Sequence, residues 1–151
     1  MTLKSDSPFE TDPPVFLLKD LTTRALETHE YALAGQLLEQ QHYLGDCPAG
    51  RQLLQVVEYQ GHWVALLDWG PACWKLADRE THIGWTHQQR AQRLGLIVQN
   101  RRFLVLGQER MPNLASRALG LALRALPEHW KALHGYCPVM AETFTDIEQF
   151  E

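Results

Sequence analysis

The feature that most constrains how this 151-residue chain can fold is the stretch 100–116, where a short apolar run turns within a few residues into an apolar helix. Phe103, Leu104, Val105 and Leu106 form a β-compatible run too short to be a helix, which predicts a buried strand. Pro112 and Asn113 then supply a break and an N-cap residue, and apolar positions recur at helical spacing from Leu114 to Leu126. A helix start carries unpaired N–H groups and the positive end of the helix dipole, so it favours an anion. Here Leu104 and Leu106 lead into the turn, and Arg110 stands just upstream. The residues placed around an oxyanion would be Asn113, Leu114, Ala115 and Ser116. The same residues also fit a plain core helix capped by Asn113, since no glycine-rich phosphate loop is present.

A length of 151 residues with 45% hydrophobic content predicts one domain. Residues 1–14 mix Ser, Asp and Thr with three prolines and read as a flexible lead, leaving 15–151 as a single domain. Apolar runs stop well short of the ~18 to 20 residues of a membrane span, and the N-terminus lacks a signal-peptide pattern. The expectation is a cytoplasmic protein with no membrane partner. Cys47, Cys73 and Cys137 are widely spaced and form no C-x-x-C pair, so they predict packed thiols rather than disulfides or zinc ligands. The seven histidines show no ligand spacing, and no metal is expected.

The net charge of −4 conceals an asymmetry. Residues 1–50 carry 3 basic and 8 acidic side chains, residues 75–124 carry 9 and 3, and residues 125–151 carry 1 and 5. Eight of the nine central basic residues are arginine, the side chain suited to planar recognition of phosphate or carboxylate. They suit either an anion site or a solvated face paired with local acids.

Along the chain, Val15–Leu18 reads as a first strand and about Thr22–Gln41 as a helix, before a turn at Gly45-Asp46-Cys47-Pro48. Leu53–Tyr59 and Trp63–Trp69 flank Gln60-Gly61 as a hairpin, with Trp63, Ala65, Leu67 and Trp69 on one face. Thr86 opens a helix through a capping box that runs on toward Asn100. After the helix from Asn113, Pro127 begins a further helical turn that Gly135 ends, and Pro138–Phe144 reads as a last strand. The class is α/β (α+β), a mixed sheet flanked by helices. This order resembles the GNAT acyltransferase fold, lacking its C-terminal strands. The resemblance implies acetyl-CoA or another acyl-CoA with its pyrophosphate on the helix start. The GNAT loop reads Arg/Gln-x-x-Gly-x-Gly/Ala, whereas Gln108-Glu109-Arg110-Met111-Pro112-Asn113 has no glycine.

An ordered set of short motifs also resembles the DruA family, a component of Druantia anti-phage systems with relatives near transposases. It comprises His42-Tyr43-Leu44-Gly45, Asp78-Arg79 with Ile83-Gly84-Trp85, and Asn100 with Arg102-Phe103-Leu104. Further along come Pro112-Asn113-Leu114-Ala115-Ser116, Leu119-Gly120-Leu121 and Glu142-Thr143-Phe144-Thr145-Asp146. Arg101 stands where the family usually has serine, and the family typically runs on beyond the position of Glu151, so a shortened relative is expected. The resemblance implies defence-system or transposase partner proteins.

Several of these residues are candidates for chemistry. His42 and Tyr43 are possible proton handlers or stacking groups, or a helix end closed on the core. Asp78 and Arg79 suit a positioning pair with Trp85 as an aromatic wall, or a surface loop ion pair. Asn100 and Arg102 are placed as ligand-facing. Glu142 lies in an apolar strand and is the best general-base candidate, or an outward-facing strand residue. The alternatives are an acyl transferase, a nucleic-acid binder using arginines and tryptophans, and a non-catalytic assembly module. The short C-terminal end predicts an uncovered sheet edge and hence a homodimer.

Overall fold

The computed structural model describes residues 18–41, 50–106 and 112–144. The 1–14 lead, the 45–48 turn, Cys47, His42, Tyr43 and Arg110 lie outside the described residues. The described chain forms β1 (Leu21–Ala25), α1 (Tyr31–Gln41), β2 (Leu53–Tyr59), β3 (His62–Pro71), α2 (Ala77–Ile83) and α3 (His87–Arg93). It continues through β4 (Ile97–Val105), α4 (Leu114–His134) and β5 (Met140–Thr143). The strands lie in the sheet in chain order. The first four make an antiparallel meander, while β5 joins β4 in parallel, which requires the crossover that α4 provides. The result is the mixed α/β architecture expected.

Helices cover both faces. On one, α4 lies across β1 and β2, burying Leu114, Ala118, Ala122, Leu126 and Trp130 at four-residue steps against Leu53, Val57, Leu67 and Trp69. The alanines at the middle of this stripe let the helix approach the strands closely. On the other face, Ala34 and Leu38 of α1 pack on Leu54, Val56 and Leu66.

Several sequence expectations need correction. Leu18–Asp20 is a 3₁₀ turn rather than part of a strand, and Leu21–Ala25 is strand rather than helix. All five of these residues pair with β2, and Thr23 Oγ1 donates to the Val56 carbonyl at 3.0 Å, so cross-strand pairing outweighs the local helical pattern. The Thr86 capping box is present, but its helix stops at Arg93, and Ile97 to Asn100 belong to β4. The β-branched pair Ile97-Val98 is buried between strands and favours the sheet. Conversely, α4 is one helix that runs through Pro127 to a left-handed cap at Gly135 (φ 86°). Proline removes a helical bond to the residue four positions earlier. That residue, Leu123, is 40% exposed, which puts the released carbonyl on the solvent side.

The hairpin forms as expected except at Trp63. A bulge at Val57/Glu58 turns Val64 and Ala65 to the same core, so Trp63 packs toward α1 instead of sharing a face with Ala65, Leu67 and Trp69. Phe103 and Val105 face the α4 side, while Leu104 and Leu106 pack on the α1 side. Cys73 and Cys137 are exposed loop thiols rather than packed ones.

Candidate functional site

The site is built on a carboxylate that the sheet has no apolar reason to hold. Asp68 sits in β3 within the run Val64–Gly70 and is fully buried. A buried charge persists only when paired and hydrogen-bonded. Arg102 answers it with Nε at 3.0 Å and Nη2 at 2.7 Å from Oδ2. Arg101 Nη2 and Gln52 Nε2 donate to Oδ1 at 3.0 and 3.1 Å. Consecutive strand residues normally point to opposite faces. Here a bulge opposite Asp68/Trp69 inserts Arg101 as the extra residue, which brings both guanidiniums to one carboxylate. Asn100 pins the bulge, its Nδ2 donating to the Asp68 and Arg102 carbonyls at 3.2 Å each. From α1, the Tyr31 hydroxyl is pushed up by burial, an effect opposed by a backbone bond from Leu54 and reinforced by the charge of Asp68.

A second chain of charges ties α2 and α3 to β5. Arg79 is buried on α2, and its Nη1 donates to Glu142 Oε1 at 2.9 Å. Its Nη2 donates to the Cys73 carbonyl at 2.6 Å and to Glu80 Oε1 at 3.2 Å. Glu80 Oε2 accepts from the Trp85 indole and faces Arg90 Nη1 at 3.4 Å. Burial works to raise the Glu80 carboxyl, but the bonds from Trp85 and Arg79 and the charges of Arg90 and Arg79 hold it below the usual carboxylate range. Arg90 in turn lies over the Trp74 ring at 5.0 Å. Arg79 therefore pairs with Glu142 and Glu80, while Asp78 is exposed on α2. Trp85 acts as a hydrogen-bonded clasp on Glu80 rather than a bare wall.

The helix start differs in detail from the expected cap. Asn113 is exposed and left-handed (φ 67°), a conformation asparagine tolerates, and its side chain makes no capping bond. Leu114 is buried, Ala115 and Ser116 are exposed, and the first helical bond runs from Arg117 N–H to the Asn113 carbonyl at 2.9 Å. The structure thus joins Arg79 to Glu142, and Asn100 to Arg102, around the paired segments of β3, β4 and β5. Asn113 to Ser116 lie apart from them. Glu142 pairs with Gln99, six residues before the β4 terminus at Val105, roughly 20 Å along the strand at ~3.3 Å per residue.

Sequence reasoning missed Asp68, Gln52, Gln55 and His129. Gln55, also fully buried, accepts from Trp69 Nε1 at 2.7 Å and donates to the Ala122 carbonyl at 3.1 Å, with His129 Nδ1 at 2.9 Å. A charge or amide inside an apolar strand run was the available signal. Among the described residues, no group of three or more His, Cys, Asp or Glu is arranged to hold a metal, and no helix is long and apolar enough to cross a membrane.

Fold and site together define a mixed α/β domain organised around buried arginine–carboxylate pairs. The family model described as Druantia protein DruA matches residues 23–149, and the chain belongs to the DruA family. No curated protein matches it.

Proposed function

We propose that this DruA-family chain acts in Druantia anti-phage defence through a GNAT-like anion and cofactor centre at the start of α4. The observation that carries this reading is the β4–α4–β5 crossover with its parallel strand pair. In open α/β sheets, ligands gather outside the carboxyl ends of such strands. The first-turn residues after Leu114 are exposed, as an incoming phosphate requires, and the sequence puts Arg110 just ahead of them. This donor set fits the pyrophosphate of acetyl-CoA or another acyl-CoA. When bound, such a cofactor would supply an activated acyl group. Asn113, Ser116 and Arg110 then hold the anion, and Glu142, positioned by Arg79, takes the proton of the acceptor.

The nucleic-acid reading draws less support, because Arg79, Arg90, Arg101 and Arg102 are committed to internal partners and Trp69 is 1% exposed. Thermal denaturation with phosphate, sulfate and acetyl-CoA tests the proposal. Ligand at 100 times its Kd stabilises by about 2.7 kcal/mol, and Arg110→Ala should remove most of that gain. A melting temperature indifferent to all three ligands overturns the reading.

A further inference from the structure

At the opposite end of α4 from its start, six residues line a cleft of about 260 Å³. They are Arg51 ahead of β2, Pro71 at the end of β3, Gly95 and Ile97 at the entry to β4, Trp130 in the last turns of α4, and Tyr136 beyond its cap. The walls are mostly rings and aliphatic carbon. Trp130 is 1% exposed and stands edge-on to Tyr136, with centroids 6.4 Å apart. Its indole N–H has no acceptor among the described residues.

The polar groups here are organised around one phenol. The Tyr136 hydroxyl donates to the Gly95 carbonyl at 2.7 Å and accepts from Arg51 Nη1 at 3.0 Å. Arg51 Cζ also lies 5.2 Å from the centre of the Tyr136 ring. Arg51 is exposed and has no carboxylate partner among the described residues, in contrast to the buried arginines of the sheet. A positive, planar hydrogen-bonding group is therefore held in one orientation at the mouth of an apolar cleft.

We propose that this cleft binds a small planar aromatic anion, an aryl or indolyl carboxylate. Its ring would pack against Pro71 and Tyr136, over a floor made by the buried Trp130 and Ile97, and its carboxylate would meet the Arg51 guanidinium. Size, shape and charge each argue for this class. The volume is below the ~300 to 1,000 Å³ of pockets for larger ligands, so the occupant is of fragment size. Ring walls reward an aromatic body, and a fixed guanidinium rewards a planar carboxylate. An inorganic anion would leave the walls unused, and a neutral ring would leave Arg51 unused. The site is separate from the α4 start and takes a different ligand.

Titration of the full chain with benzoate and indole-3-carboxylate tests this, read by calorimetry and by amide NMR shifts at Ile97, Trp130 and Tyr136. Acetate, which lacks the ring, and benzamide, which lacks the charge, are the controls. Both aromatic carboxylates should bind more tightly than either control. Arg51→Gln should weaken them by about tenfold or more through loss of the charge-assisted bond, with only a small drop in melting temperature from the lost Tyr136 contact of an exposed residue. Tyr136→Phe, which releases Arg51, should weaken them as well. The proposal is overturned if neither carboxylate binds, if acetate binds as well as benzoate, or if Arg51→Gln has no effect.

Discussion

Asp68 shows how one residue organises its neighbours. Its burial obliges two arginines and a glutamine to face it, and the space for one of them, Arg101, is made by a residue with no side chain. A Cβ on Gly70 would stand 2.5 Å from Arg101 Nε and 2.6 Å from its Cζ. Gly70→Ala should push the guanidinium off Asp68 and destabilise the fold by roughly 1 to 3 kcal/mol, as overpacking does. In an Arg101→Ala background the same substitution should cost little. Urea unfolding of the four variants in this cycle checks the coupling, and strictly additive losses would separate Gly70 from Arg101. A charge at position 68 inside an apolar run was legible in the sequence. That Arg101 and Arg102 converge on it was not, because the bulge arises from pairing between two strands and leaves no mark on either one alone.

At the scale of an element, α4 is the clearest case. Its start, its apolar stripe and its end at Gly135 could all be read from spacing, and only Pro127 misled, because packing on both sides carries the helix through it. Less legible was the boundary of α3, where Leu94 and Val98 fit both a helix and a strand until β3 is there to pair with the latter. The fastening of α4 to β2 depends on protonation. Trp69 N–H takes the Gln55 carbonyl oxygen, which fixes the Gln55 amide as donor toward Ala122 and leaves His129 Nδ1 as acceptor. Burial lowers the His129 pKa, opposed by the charge of Glu128. A base whose folded pKa lies below its unfolded value binds its proton more readily when unfolded. Stability is therefore unaffected above about pH 6.5 and falls as the pH drops from there toward the folded pKa. The Glu30 carboxyl, lowered to about 2 by hydrogen bonds from Arg24 and the Glu27 backbone, acts only at more acid pH. Urea midpoints at pH 7.5 and 5.5 should thus differ in the wild type and converge in His129→Gln. Equal shifts in both would place the pH dependence elsewhere.

For the whole molecule, the three layers and mixed sheet were legible from element order, while the two polar networks that stitch the layers together were not, since each draws on residues far apart in the chain. β5 ends the described sheet, and around it Val139 and Phe144 are 76% and 53% exposed. We propose that a second copy covers this side, as a self-complementary patch does at least cost. Sedimentation at micromolar concentration should give twice the 17.3 kDa of one chain, and a clean monomer would remove the proposal. The same topology sets an order of events in time. β2 and β3 close on each other through a tight hairpin turn, whereas β5 meets β4 only across the 21-residue α4. Short-range pairings close early and long crossovers late. On that order the Arg79–Glu142 pair, which joins α2 to β5, is expected to form late in folding. Arg79→Ala should accordingly speed unfolding while leaving the refolding rate close to wild type, which stopped-flow kinetics in urea would display as a shift in one limb of the chevron alone.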